Sequence, residues 1–437
     1  MNSGRFDKTI GRVRPGTYIN VDSNSNPAVS YGSRGNVLVP LVNSWGPHAK
    51  LIKIEAKDIA SADALLGNSV GKILLLNEAF KGAGTVIVYN LNKGERAKAT
   101  KDGLTITAKY GGTRGNDIKV VSTANPENGY ILTVMLGTTT VEEFAAANIE
   151  EACALDSSYV VFSGTGELST FSSVSLEGGT SDEIIKSDVT DMLDSIENEN
   201  ISAIAFPWMD DELKAVAISK AAYLRDSLGK SVQVVVADYP KADYEGVINV
   251  TNSYALSDGT ELTNTQATAY VAAITASANE LVSNTYRVVT DAVQVIGKKS
   301  NEEAEVAIQN GEFFFTQQDD EVIVEYDINS LHTFTETRSA SFRKNKIIRV
   351  YDAVSDTIRE TFPPNKFPNS SIGWDLMDGL CQTILQHFLD EGAIKNVDLA
   401  NDMKVNRAES SGDSVYFDAR IHAVDAAEKL YFTVITD

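Results

Sequence analysis

"DDELKAVAISKAAYLRDSLG" at 210–229, followed at once by "SVQVVVAD" at 231–238, decides the fold class. The first stretch reads as a helix: acids open it, where the helix dipole favours negative charge, and a glycine closes it. The second is a valine-rich run, the pattern of a strand covered on both faces. The same pair occurs just upstream, as helix "SDVTDMLDSIENE" at 187–199 and strand "ISAIAFP" at 201–207. A third strand, "GVINVTN", follows at 246–252. Helices alternating with β-branched runs predict a parallel sheet joined by crossover helices.

Working outward, "GTVIVYNL" at 84–91 fits the same sheet, with its crossover helix delayed until after Thr180. The intervening "DGLTITAKYGG", "NDIKVVSTANPENGYILTVMLG" and "SSYVVFSG" are short, β-rich and punctuated by Gly and Thr. We therefore read 22–91 and 180–310 as one α/β core domain and 92–179 as a small inserted β-domain. Such an insertion costs little at a surface loop. A helix over "NTQATAYVAAITASANELVSNTY" would close the core.

Residues 311–437 read as an α+β domain. "GEFFFTQQDDEVIVEYDI" alternates around Gln318, Asp319 and Asp320, as a hairpin does. In "SIGWDLMDGLCQTILQHFLDEG", Trp374, Met377, Cys381, Ile384 and Phe388 recur at helical spacing, a continuous apolar stripe. Ser371 is the expected cap, Asp375 and Asp378 suit the first turns, and Gly392 suits the C-terminal stop. "DSVYFDARIHAV" and "KLYFTVITD" predict two closing strands, the second reaching the C-terminus.

The start of the chain is different. Arg5, Lys8, Arg12 and Arg14 against Asp7 make the first fourteen residues basic in a chain of net charge −22. Within "GRVRPGTYINV" at 11–21, Arg14, Pro15 and Gly16 lead into an extended segment. Thr17, Ile19 and Val21 face one way and Tyr18 the other, and no local partner is in sight. The expected architecture is α/β and α+β, multidomain, with an N-terminal arm (1–21) and a C-terminal arm.

Function classes narrow in the same way. A charge of −22 over 437 residues argues against nucleic-acid and anionic-membrane partners. No apolar run reaches the length of a membrane helix, and no signal peptide is visible. Cys153 and Cys381 read as buried free thiols of a reducing compartment. Loops after the expected parallel strands contain no phosphate cradle, and "GGTRGN" at 111–116 lacks both nucleotide-binding spacings and reads as a tight turn. His48, His332, His387 and His422 are scattered, without metal-ligand spacing, and there is no GxSxG elbow. Asp210-Asp211 opens a helix and Asp319-Asp320 sits at a hairpin tip, both ordinary places for acids. The expectation is no catalytic residue, no cofactor and no metal. One cluster stands out: "RSASFRKNKIIR" at 338–349 carries five positive charges and no acid. It reads as a solvated helix face or as a dock for an acidic protein.

Two termini ending in unpartnered β-segments are suited to adding strands to another chain's sheet. At this point the sequence resembles the sheath proteins of contractile phage tails, in particular prophage-type sheaths of Gram-positive bacteria. The resemblance rests on "RPGTYINV" (14–21), "AKYGGTRGNDIKV" (108–120), "GWDLMDGLCQTILQHFLDEGAI" (373–394) and the closing strand pair (415–436). Many sheaths have an aromatic-Pro-Gly step where this chain reads Tyr110-Gly111-Gly112. The resemblance implies a subunit that stacks as hexameric rings around a tail tube and contracts to drive the tube through a target envelope. Its partners would be itself, the tube protein, and the baseplate and tail terminator proteins. It would be assembled in the host cytoplasm and carried in a virion tail or tailocin. Residues 14–21 would be one donated strand. Leu430, Tyr431, Phe432, Thr433, Val434 and Ile435 would be the other, with 311–327 or 415–422 as acceptor. Arg343, Lys344, Lys346 and Arg349 would be candidate tube contacts. Two alternatives stand beside this reading: a related contractile system, such as a tailocin or type VI-like sheath, and an α/β ligand-binding enzyme.

Overall fold

β-branched runs do in three dimensions what their composition requires: they form a sheet covered on both faces. The computed structural model describes residues 35–127 and 129–435. The central sheet has seven strands, in the order Glu312–Phe313, Val247–Val250, Gln233–Ala237, Ala203–Ala205, Asn36–Leu41, Thr85–Asn90, Leu51–Glu55. Six are parallel and only the Leu51–Glu55 edge runs antiparallel, against Thr85–Asn90. Side chains alternate between two cores, as the two-residue period demands. Val37 and Val39 face one core with Tyr270 and Ala273, while Leu38 faces the other with Val189, Leu193 and Ala217.

The helix expected over 264–286 is shorter, Asn264–Ser277, and it is buried on every side from Ala267 to Ala276. Its N-terminus is fixed by a reciprocal pair: Thr263 Oγ1 accepts from Gln266 N, and Gln266 Oε1 accepts from Thr263 N. Asp210 caps the Asp211–Ala222 helix by accepting from the backbone N–H groups of Glu212 and Leu213.

Sequence reading missed the strand at the centre of the sheet. Asn36–Leu41 contains Pro40, and proline normally argues against a central strand. Here pairing with Ala203–Ala205 stops at Val37 and Leu38, so that neighbour requires no donor from Pro40. The boundary expected at 310/311 also moves. Glu312–Phe313 is the edge strand of the parallel sheet, and the Phe315–Gln318 and Glu321–Val324 hairpin places Phe315, Val322 and Val324 in the α/β core.

Between the strands of that sheet, residues 98–175 build two sheets of their own. One orders Lys98–Lys101, Leu104–Ala108 and Val160–Gly164. The other orders Phe171–Ser175, Ile118–Ala124, Tyr130–Leu136 and Thr139–Ala146. They enclose a core of Ile106, Val120, Leu132 and Phe162. Trp45 enters it from the loop after Asn36–Leu41, stacked on Tyr159 at 6.1 Å and edge-on to Tyr110 at 5.4 Å. The first two glycines of "GGTRGN" are explained here. A Cβ at Gly111 would overlap the Gly94 carbonyl oxygen, and one at Gly112 would overlap that of Ser44. The stretch is a close backbone crossing, ending in a short 3-10 turn at Thr113–Asp117.

The described residues divide into two units. The larger holds 35–356, Phe388–Val397 and 421–435; the smaller holds Thr357–His387 and Asp398–Arg420. In the smaller unit, Met403–Ser411 pairs antiparallel with Ser414–Ala419. This corrects the closing strand pair expected from sequence, because the partner of 414–419 lies before it in the chain. The apolar stripe helix is Ser371–Asp390, with Met377, Cys381, Ile384 and Phe388 buried. Its cap is Ser370, one residue earlier than expected: Trp374 N–H donates to the Ser370 carbonyl at 2.8 Å. Gly392 stops it in the left-handed conformation, φ +77°. Asp375 and Asp378 do more than suit the dipole. Both accept from Arg407, at 2.7 and 2.8 Å, and Asp378 also accepts from Val405 N–H.

Candidate assembly surface

Strand ends of the parallel sheet, where an α/β enzyme would bind its ligand, are occupied by the protein's own groups. Asp238, in the left-handed region, accepts both Asn264 Nδ2 contacts, at 3.1 and 2.9 Å. Asn249 Oδ1 takes Tyr239 N–H, and Asn90 Oδ1 takes the N–H groups of Asn43 and Asn92. Among the described residues, no three His, Cys, Asp or Glu side chains are grouped as metal ligands, and no helix is long and apolar enough to cross a membrane.

The structure places each charge of the basic run differently, from wholly buried at Arg349 to partly exposed at Arg338. Arg349 is wholly buried. Its guanidinium donates to Asp327 Oδ2 and the Val282 carbonyl, each at 2.7 Å, and Asp327 is equally buried. Asn345 Nδ2 completes that carboxylate at 2.9 Å. Arg349 is therefore neither a solvated charge nor a group that a tube protein can reach. Lys346, also buried, donates to the Val424 carbonyl, and burial pulls its pKa down. Lys344 Nζ sits between Asp425 and Glu428, 2.7 Å from each. Burial alone would lower its pKa, but those two hydrogen-bonded carboxylates raise it overall. Arg343 donates to the carbonyls of Leu331 and Gln309 and lies over the Phe334 ring. Arg338 pairs with Glu245 at 3.2 Å. All five side chains of the run have partners within the chain, and two of them, Lys344 and Lys346, hold residues 424–428. The sequence pattern carries no sign of this, because the acids that pair with the run, Glu245, Asp327, Asp425 and Glu428, lie outside it, at 22 to 93 positions from their partners.

Beyond that anchor the chain changes character. Leu430, Tyr431, Phe432, Val434 and Ile435 are 69–89% exposed, and 430–435, Thr433 included, is in no strand. Five large apolar side chains within six residues is an unusual exposure for a chain that is otherwise well packed. The other expected arm, including Arg14, Pro15, Gly16, Thr17, Tyr18, Ile19 and Val21, lies outside the described residues. Of the two acceptors considered, 311–327 buries Phe313, Phe315, Val322 and Val324 in the α/β core, and its Phe315–Gln318 and Glu321–Val324 hairpin is two-stranded. The Met403–Ser411 and Ser414–Ala419 hairpin remains two-stranded, with Tyr416 and Phe417 exposed.

Four family models match along the chain: "Tail sheath protein Gp18 domain III N-terminal region" over 34–91 and "Phage tail sheath protein beta-sandwich domain" over 92–182. "Phage tail sheath protein central domain" matches 182–330 and "Phage tail sheath C-terminal domain" matches 337–436. The chain belongs to the phage tail sheath protein family.

This sheath chain is 35% identical to the phage-like element PBSX protein XkdK of Bacillus subtilis, over 99% of each chain. A solved sheath tail protein of Desulfitobacterium hafniense superposes with a TM-score of 0.86 at 38% identity, over 96% of this chain and 99% of that one. One from Listeria innocua gives 0.79 at 36% identity, over 93% and 96%. The fold is also that of the anti-feeding prophage helical sheath in its contracted state, with a TM-score of 0.58 at 14% identity over 98% and 100%. The protein is a structural subunit of a contractile tail sheath. Cys153, expected to be buried, is exposed in it; Cys381 is buried, and both are free thiols.

Proposed function

We propose that this subunit polymerises with copies of itself as stacked hexameric rings around a tail tube, linked by exchange of terminal segments. Segments 14–21 and 430–435 would add strands to the Met403–Ser411 and Ser414–Ala419 hairpin of neighbouring copies. The observation that carries this reading is the exposed 430–435 segment: an apolar, strand-forming sequence without a sheet of its own. Each added strand would contribute several backbone hydrogen bonds, at roughly 1 kcal/mol net apiece. One such link is weak, but links repeated at every lattice point reinforce each other through effective concentration. The mesh would keep neighbours joined while subunits reorient, shortening the sheath and driving the tube through a target envelope.

On this reading 92–179 is an inserted domain that leaves the polymer's core contacts alone, and the subunit does no catalysis and needs no cofactor. Its further partners are the tube, baseplate and tail terminator proteins. It assembles in the host cytoplasm and ends in a virion tail or tailocin. The test is deletion of 430–435 and, separately, of 1–21, with polymer scored by sedimentation and negative-stain electron microscopy. We expect either deletion to abolish tubes. Loss of the exposed 430–435 side chains should shift the monomer's Tm by less than about 1 °C, because they bury little surface in the monomer. Normal tubes from the 430–435 deletion would overturn the exchange.

A further inference from the structure

The last fixed residue before the exposed segment is Glu428, and it is held with unusual completeness for a residue ten from the end of the chain. Residues 422–424 run antiparallel to 393–395: Lys395 N–H donates to the His422 carbonyl at 2.9 Å and Val424 N–H to the Ala393 carbonyl at 2.8 Å. Lys346 then holds the Val424 carbonyl, and Lys344 holds Asp425 and Glu428. The other Glu428 oxygen accepts from Ser283 Oγ and Thr285 Oγ1, at 2.9 and 2.7 Å. Glu428 is 11% exposed, whereas Leu430 is 69% and Tyr431 89%. The boundary between fastened and free chain is sharp.

This anchor is tied to the interior. Thr285 Oγ1, which donates to Glu428, also accepts from Asp327 N–H at 3.1 Å. Asp327 binds Arg349 and Asn345, and Asn345 follows Lys344 at the start of the Asn345–Thr361 helix. Pull applied at Glu428 is therefore passed to a buried ion pair and to the start of a 17-residue helix, not to a loop that would unravel.

We propose that Lys344, Asp425 and Glu428 form a tether that fixes where the C-terminal segment leaves the subunit, so that only 429–437 is exchanged. The proposal rests on the exchange reading above and sets its reach. Nine residues extend at most about 30 Å, so a neighbour's acceptor edge must lie within that distance of Glu428 both before and after contraction. The tether residues position the exchanged strand; they do not join the neighbour's sheet.

The test pins the root of the segment covalently. Ile394 and Ala423 form the non-hydrogen-bonded pair of the short antiparallel bridge, a spacing that suits a disulfide. Ile394→Cys with Ala423→Cys, made in a Cys153→Ser background, is compared oxidised and reduced by sedimentation of full-length protein. Expected is a critical concentration for tube formation that agrees within twofold between the two states. Polymer from the reduced form alone would show that the root must detach, and would overturn the tether. Lys344→Met should raise the critical concentration at least fivefold, and the oxidised disulfide should restore it. A fivefold loss that the disulfide does not rescue would mean that Lys344 acts elsewhere, and would also overturn the tether. If deletion of 430–435 leaves tubes intact, the exchange reading has failed instead.

Discussion

Replacing Asp327 with alanine should be among the most damaging single changes in this protein. The substitution leaves the Arg349 guanidinium with no exposure and no counter-ion, keeping only the carbonyls of Val282 and Asn279 as acceptors. It also strips a partner from Asn345 Nδ2 and from Asn284 N–H. Arginine cannot shed its proton to escape the cost. Stranding one member of a buried ion pair costs about 3–5 kcal/mol, against about 0–1 kcal/mol for a surface pair. Unfolding entropy of about 2.1 cal/mol/K per residue, over a cooperative unit of about 350 residues, converts that loss to a Tm drop of about 4–7 °C. The assay is thermal unfolding of the monomer followed by circular dichroism, with urea unfolding for the free energy. Adding Arg349→Met to Asp327→Ala should win back part of the loss, since the stranded charge goes and the methionine refills its volume. A loss under 1 kcal/mol for Asp327→Ala, or a double variant no better than the single one, would refute the reasoning.

Two further outcomes are expected. Native protein treated with iodoacetamide at pH 8 should gain one adduct, at Cys153, and the denatured chain two; burial pushes the Cys381 thiol up to about 12 and shields it. Two adducts on the native protein, counted by intact mass, would contradict the packing of the Ser371–Asp390 helix. Gly112→Ala should cost about 1–3 kcal/mol and clearly more than Gly137→Ala, because Gly112 lies against the Ser44 carbonyl while a Cβ at Gly137 meets open space. Equal losses would mean that the crossing at 111–112 is loose.

The sequence by itself determined the parallel sheet, the β-rich stretch inside it, the stripe helix and the family. Each of these is written locally: β-branched runs in 231–238 and 84–91, acids at Asp210 and Asp211, apolar residues at helical spacing from Trp374 to Phe388. Such patterns are legible because backbone period and side-chain burial act over a few residues. Tertiary structure alone decided the rest. Pro40 is tolerated in a central strand only because Ala203–Ala205 is too short to need its donor. Met403–Ser411, polar along much of its length, is a strand only because Ser414–Ala419 pairs with it. The run at 338–349 looked like a charged surface because its partners, Glu245, Asp327, Asp425 and Glu428, are distributed over almost two hundred positions. Charge in a sequence carries no address: a lysine is a surface group or an anchor according to which carboxylate the fold brings within 3 Å of it.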